Sequence, residues 1–323
     1  MSPRCPLCGG NATLYATATD IEYFTTPEEF QFFHCVACDI LFIAPMLADR
    51  LELIYPPNYY SFQQRRAKNS ITRIKEWLDQ RMFRRLLHKI PSSRIDVLDV
   101  GGGTGWLLDI LRDIDPRIAT TQVVDIDTAA EREARIKGHL FFPGRIEEFR
   151  SERAFDLVLL LNLIEHVAQP NYVLQHIARM LSPHGRILIK TPNFRALDAR
   201  LFRHRSWAGY HCPRHFVLFS RKSLEQLLAG AGLQIEEFHY TQGAPFWAAS
   251  ILELLRRLGL VMVSAERPWF FHPLTPLLLA LAAAFDFARR PFFPLSQMVV
   301  VVRQTKPSNR GEHEAPQEWR PQQ

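Results

Sequence analysis

Leu98-Asp-Val-Gly-Gly-Gly-Thr-Gly105 closes an apolar run, Ile95 to Val100, and passes directly into a helical pattern from Trp106 to Ile114. Glycines between a strand and a helix let the backbone approach a ligand and adopt dihedrals closed to other residues. Their spacing narrows the ligand. A dinucleotide fingerprint, G-x-G-x-x-G, would need glycine at Trp106 if counted from Gly101, or at Leu108 if counted from Gly103. Neither is there, and the row reads Asp99-x-Gly101-x-Gly103-x-Gly105 instead.

Outward from this turn the chain alternates short apolar strands with helices. Thr121–Asp125 reads as a strand, Thr128–Lys137 as a helix, and Phe155–Leu161 as the unbroken apolar strand of a sheet covered on both faces. Pro170–Leu181 reads as a helix and Gly185–Thr191 as a strand. Ser220 caps a helix to Ala231, and Leu233–Tyr240 and Gln297–Arg303 return as strands. The alternation predicts an α/β, doubly wound sheet with its ligands at the carboxyl ends of the strands.

The Asp99, Gly101, Gly103, Gly105 row resembles the first motif of class I S-adenosylmethionine-dependent methyltransferases, which implies a Rossmann-like sheet of seven strands. The resemblance implies a ribose role for Asp125, which ends Gln-Val-Val-Asp. Asp127, just before Thr128, suits a helix N-cap better. Phe155-Asp-Leu-Val-Leu-Leu-Leu-Asn-Leu-Ile-Glu-His-Val167 is similar to the strand and loop beneath the donor in ubiquinone-biosynthesis-like enzymes. It places Asn162 near the donor's amino acid moiety and Glu165-His166 at the family's Glu-His pair, with helix capping an equal alternative for His166. Some relatives hold a metal through an acidic residue where this chain has Asn162, which argues against a catalytic metal. Arg145 cannot accept a hydrogen bond from the adenine amino group, so the backbone of Ile146 is the expected contact.

Two C-x-x-C pairs, then Tyr-Pro-x-x-Tyr-Tyr over 55–60, then this core resemble bacterial methyltransferases of sugar nucleotides, surface polysaccharides and natural products. In that comparison Tyr55, Tyr59 and Tyr60 approach the donor. The block Trp207–Ser220 holds the first two expected general bases, His215 and then His211, with His166 of the Glu165-His166 pair third. The implied activity is methyl transfer to a small-molecule acceptor. A donor-fold binding protein without turnover, and an enzyme acting on a lipid-linked acceptor, are the alternatives.

The rest of the 323 residues sets the context. Hydrophobic residues at 47% and charged ones at 22% exclude a mainly disordered or collagen-like chain. Cys5, Cys8, Cys35 and Cys38 supply four thiolates on two tight turns, the tetrahedral set that structural Zn2+ prefers; unmetallated redox pairs are the alternative. These readings divide the chain into a zinc-ribbon-like domain over 1–46, a helical lid over 47–93, the α/β domain over 94–304 and a disordered tail over 305–323. The lid carries an apolar stripe through Ile71, Ile74, Leu78, Met82 and Leu86, widened by Trp77, Phe83, Leu87 and Ile90. Its ten basic against two acidic residues over 61–95 form either a solvated face or a surface for an anionic partner. Arg195, Arg200, Arg203, Arg205, Arg214, Arg221 and Lys222 against Asp198 make a second basic cluster, which predicts an anionic acceptor and, lacking an RNA-binding module, not a nucleic acid. Between the last two strands an insertion over 245–295 carries two apolar helices, Phe246–Leu260 and Leu277–Arg290. It reads as a homo-oligomer interface or acceptor lid, or as a helix lying on a bilayer. No apolar signal opens the chain, so the expected location is cytoplasmic, with peripheral contact at the inner membrane face as an option.

Overall fold

The computed structural model describes residues 3–50, 54–56, 70–204 and 206–305, without the side chains of 70–75. Its strands are β1 (Thr13–Ala18), β2 (Phe30–Cys35), β3 (Ile40–Ala44), β4 (Ile95–Val100), β5 (Ile118–Asp125), β6 (Leu140–Pro143), β7 (Phe155–Leu161), β8 (Leu181–Pro192), β9 (Val217–Phe219), β10 (Leu233–Thr241) and β11 (Gln297–Gln304). The helices are α1 (Ser70–Leu87), α2 (Trp106–Ile114), α3 (Thr128–Ile136), α4 (Pro170–Arg179), α5 (Leu197–Leu201), α6 (Arg221–Gly230), α7 (Ala244–Arg257) and α8 (Thr275–Arg289).

Seven strands form one sheet in the order β10-β11-β8-β7-β4-β5-β6, parallel except for β11, which is antiparallel to both neighbours. The fold class is therefore the doubly wound, Rossmann-like α/β sheet that the sequence pattern predicts. Its central strands are buried on both faces because successive side chains go to opposite cores. Leu98, Val158, Leu160, Ile187 and Ile189 pack into one core, and Val97, Leu157, Leu159 and Leu188 into the other.

Some boundaries move for identifiable reasons. Residue 181 starts β8 instead of ending a helix, because Leu181 pairs with Phe155, whose amide donates to the Met180 carbonyl at 2.7 Å. The α1 stripe is partly overturned: Phe83, Leu86, Leu87 and Ile90 are buried, whereas Trp77 and Leu78 are exposed. Tyr59, Tyr60, Arg205 and the tail from 306 onward lie outside the described residues.

A second, antiparallel sheet runs β1-β2-β3-β9. Its fourth strand comes from the middle of the chain, with Phe219 opposite Ile40 and Val217 opposite Phe42. Three residues carry too little pattern to announce a strand whose partner lies some 175 positions earlier. Ser220 follows at once as the N-cap of α6, its hydroxyl accepting from the Ser223 amide.

Candidate functional site

A cavity of about 640 Å³ opens at the carboxyl ends of the parallel strands. Gly101 and Gly103 line it, with φ of 75° and 51°. A Cβ at Gly101 would come within 3.1 Å of Leu163. The Gly103 amide donates to Asp125 Oδ2 at 2.7 Å and the Asp127 amide to Asp125 Oδ1 at 2.8 Å, so two backbone groups fix this carboxylate at the end of β5. Asp127 itself caps α3, accepting from the Ala129 amide at 2.9 Å.

Beneath the glycines lies Asp99. A Cβ on Gly102 would fall 2.6 Å from its carboxyl, so the glycine lets the loop rest on the acid. Burial, and the negative charge of Asp125, push Asp99 up to about 8. Asp99 Oδ2 and Asn162 Oδ1 are buried with no hydrogen-bond partner among the described residues, and both residues line the cavity. Buried polar atoms without partners are costly, so these suit a polar ligand. Asn162 is held at φ of 54°, a left-handed conformation that asparagine tolerates.

Ile146 lines the cavity too, together with Glu147, whose carboxyl burial raises in pKa and which the sequence reading passed over. Its only signal was its place two residues after Arg145. Gly105 does not line the cavity. Its glycine is required by a φ of 73° and by the His139 ring, 2.4 Å from where a Cβ would stand. Tyr59 falls outside the described residues.

The other end of the cavity is made of histidines. His166, in a single 3-10 turn after β7, lines it, and its Nδ1 lies 3.1 Å from the Tyr55 hydroxyl, itself a lining residue. The His215 ring packs edge-on to it at 4.7 Å between centroids, and His211 completes a triangle, 4.9 Å from His215 and 5.8 Å from His166. Neither His215 nor His211 reaches the cavity. Of the three expected bases His166 faces the cavity, and His215 stands behind it, buried, its Nδ1–H donating to the Gly209 carbonyl at 2.9 Å. Burial holds His215 well below the ordinary imidazole range and takes His166 down to about 3. Glu165, with its Oε1 3.9 Å from His215 Nε2, accepts from Thr191 Oγ1 at 2.9 Å, and burial pushes it up to about 8.

This cluster is tied to the N-terminal sheet. His211 Nδ1 meets Glu22 Oε2 at 2.7 Å. Arg214, fully buried, donates to Asp20 Oδ2 at 2.9 Å. Asp20 also accepts from the amides of Tyr23 and Thr25 and from the Thr25 hydroxyl.

Arg214 is thus buried in a pairing with Asp20. Three other arginines of its cluster are engaged within the protein. Arg195 pairs with Asp39, Arg203 donates to the Tyr15 carbonyl at 2.9 Å, and Arg221 pairs with Glu225 at 2.7 Å. None of the described basic residues between 195 and 222 lines the cavity.

The four cysteines of the paired motifs converge, with sulfurs all within 4.8 Å of one another and no disulfide. Cys8 Sγ and Cys35 Sγ stand 3.7 Å apart. Zn–S bonds of about 2.3 Å in a tetrahedron require sulfurs about 3.8 Å apart, so the set fits zinc. Each pair sits on a tight knuckle. Cys5 N donates to the Gly10 carbonyl at 2.9 Å and Asp39 N to the Cys35 carbonyl at 2.8 Å. Hydrogen bonding from Cys38 lowers the Cys8 thiol to about 7, while burial raises Cys5 to about 11.

Comparison with known proteins places this geometry. Residues 59–237, more than half of the chain, match the family model for a methyltransferase domain. Ubiquinone biosynthesis O-methyltransferase of Bradyrhizobium diazoefficiens is 31% identical over 100 residues, covering 30% of this chain and 40% of that protein. Its mitochondrial counterpart from Dictyostelium discoideum is 25% identical over 147 residues, covering 40% and 44%. The chain thus spans about two fifths of the length of these curated relatives. Among solved structures, the plantazolicin methyltransferase BpumL in complex with SAH superposes with a TM-score of 0.45 at 16% identity, covering 72% of this chain and 84% of that one.

Proposed function

The chain belongs to the class I S-adenosylmethionine-dependent methyltransferase family, and on that premise we propose that it moves the donor's methyl group to a hydroxyl of a small-molecule acceptor. The observation that carries this reading is that one cavity joins the Gly101–Asp125 donor loop to the Tyr55–His166 pair. Asp125 accepts from the ribose hydroxyls, Asn162 and Asp99 meet the amino acid end, and Glu147 and the Ile146 backbone face the adenine. When bound, the donor supplies an activated methyl on a sulfonium, so the protein's part is alignment, exclusion of water and handling of one proton.

That proton goes first to Tyr55. The Tyr55 oxygen takes it from the acceptor as its own hydrogen moves to His166 Nδ1. An imidazole held at about 3 is a weak base, but an oxygen that is forming its bond to the methyl group becomes a strong acid, and a neutral imidazole suffices. The rate should therefore not step up through an ordinary histidine pKa near 6.5. The names of the ubiquinone relatives favour a hydroxyl acceptor, whereas the described arginines of the cluster that predicts an anionic acceptor do not line the cavity.

The test is release of S-adenosylhomocysteine from a panel of phenolic and alcoholic acceptors. His166→Gln and Tyr55→Phe should each lower kcat roughly 100- to 10,000-fold with donor affinity unchanged, and the double variant should be no worse. Normal turnover in His166→Gln refutes the proton assignment. No turnover with any acceptor by a protein that binds the donor favours a binding role instead.

A further inference from the structure

The last helix before β11 packs Ala282, Leu279 and Ala283 against α7 but leaves a second apolar face outside. Along α8 the stripe turned to the protein holds Thr275, Ala282, Asp286 and Arg289, with Asp286 and Arg289 paired at 2.8 Å and the Asp286 carboxylate accepting from the Gly243 amide at 2.9 Å. The outward face carries Leu277, Leu281 and Phe287, the last 77% exposed, while Phe285 on its flank packs edge-on against Trp247 at 5.5 Å. The outward face of an amphipathic helix in a protein surrounded by water is polar. The apolar surface continues into the neighbouring segments, where Phe271, Phe292 and Met262 are each more than 70% exposed. Exposed apolar area on this scale marks an interaction site.

Charge indicates the occupant. Glu253 is buried between Arg256 and Arg257, and Asp286 is buried against Arg289, so two of the three acids between residues 244 and 295 are neutralised internally. Glu266 is the exposed acid, against exposed Arg257, Arg267 and Arg290. The start of α7 lies by the end of α8, which makes the two an antiparallel pair and puts Arg257 and Arg290 toward opposite ends of the apolar face. A second copy docked across a twofold axis would bring arginine against arginine. An anionic lipid surface would receive the apolar face in its acyl boundary and the arginines among its phosphates. No helix among the described residues is long and apolar enough to cross a membrane, so the helix would lie in the plane of the surface.

We propose that the α7–α8 hairpin docks on an anionic lipid bilayer through the outward apolar face of α8 and its arginine rim. The hairpin is attached beside the cavity, since Thr241 lines the cavity and α7 begins at Ala244. A docked molecule would thus hold its acceptor end near the membrane surface.

Flotation of the 323-residue chain with phosphatidylcholine vesicles, with and without phosphatidylglycerol, tests the proposal. The protein should float with the phosphatidylglycerol vesicles. Leu281→Glu/Phe287→Glu should reduce the bound fraction about tenfold or more, as expected from losing two buried apolar side chains. Arg257→Glu/Arg290→Glu should reduce binding to the anionic vesicles alone. Retained S-adenosylmethionine affinity shows that each variant is folded. Failure of the parent protein to float overturns the proposal, as does a dimer by light scattering that Phe287→Glu dissociates. Equal binding to both vesicles overturns the anionic assignment.

Discussion

The two ends of the cavity are built by different means. The donor end draws on residues 99 to 162, which the sheet sets side by side through adjacent strands, and its key carboxylate is fixed by two backbone amides. The histidine end draws on Asp20 and Glu22, Tyr55, Glu165 and His166, Thr191 and the 209–215 segment, joined by side chains over as many as 194 positions. The first is a local motif that folds with its own strands. The second exists only once the N-terminal sheet has closed on the middle of the chain through the β3–β9 pairing. The two ends should therefore fail separately.

The largest effect should come from the metal side. If Cys5, Cys8, Cys35 and Cys38 hold one zinc, binding and folding of the small sheet are one process, worth on the order of 10 kcal/mol in isolated zinc modules. Cys35→Ser should reduce zinc from about one per chain to near zero and remove the lower-temperature part of the unfolding transition. Donor affinity should survive. Metal analysis finding no zinc in chelator-free, reduced protein would end this account.

Arg214→Ala breaks the link inside the histidine end. Asp20 would be left buried without its guanidinium, which costs roughly 3–5 kcal/mol. Burial by itself would raise the Asp20 carboxyl, but Arg214, Thr25 and the Tyr23 amide outweigh it and hold it at about 2, below the unfolded value of 3.8. A depressed acid stabilises above its unfolded pKa. The contribution of Asp20 is thus present above pH 4 and should fade as the pH drops toward 2, and the variant should lack that acid-sensitive component. If the variant's loss of stability is matched by an equal loss of donor affinity, the two ends are one unit and the comparison fails.

Asp125→Ala strikes the donor end. Loss of the ribose acceptor should cost about 1–3 kcal/mol in donor binding, read by calorimetry, while the melting temperature and the Tyr55–His166 geometry stay close to the parent. Parent-like affinity would remove Asp125 from the site.

The same contrast explains what could be read from the sequence. Asp99, Gly101, Gly103, Asp125, Ile146 and Asn162 stand at strand ends or in the loops that follow, where spacing and strand pattern carry the information, and all six line one cavity. The three histidines could be picked out in the sequence, but which ring faces the cavity could not, because it depends on the Gly209 carbonyl, Glu22 and Tyr55, and none of those contacts is periodic. The arginines between 195 and 222 looked like one charged patch in a line of sequence. In the fold each described pair goes to a different place, Arg214 to Asp20, Arg195 to Asp39 and Arg221 to Glu225. The β9 strand was invisible for the same reason, since its partner is supplied by the far end of the chain.

Asp127→Ala sharpens the donor end from the other side and should have the smallest effect. Asp127 stands two residues from Asp125 and lines the same cavity, so adjacency alone would make it an equal candidate for the ribose. Its side chain, however, accepts from the Ala129 amide as the α3 cap, and its contribution to Asp125 is its backbone amide, which alanine keeps. The substitution should therefore cost about 1 kcal/mol of stability, the usual worth of an N-cap. Asn at the same position should restore most of that loss, since asparagine caps about as well as aspartate. Donor affinity should change by less than about threefold, well under the 1–3 kcal/mol expected of a lost ligand contact. Calorimetry and thermal unfolding of Asp127→Ala and Asp127→Asn separate the alternatives. A donor affinity that falls as far as in Asp125→Ala would mean that the carboxylates share the ribose and that the cap is incidental.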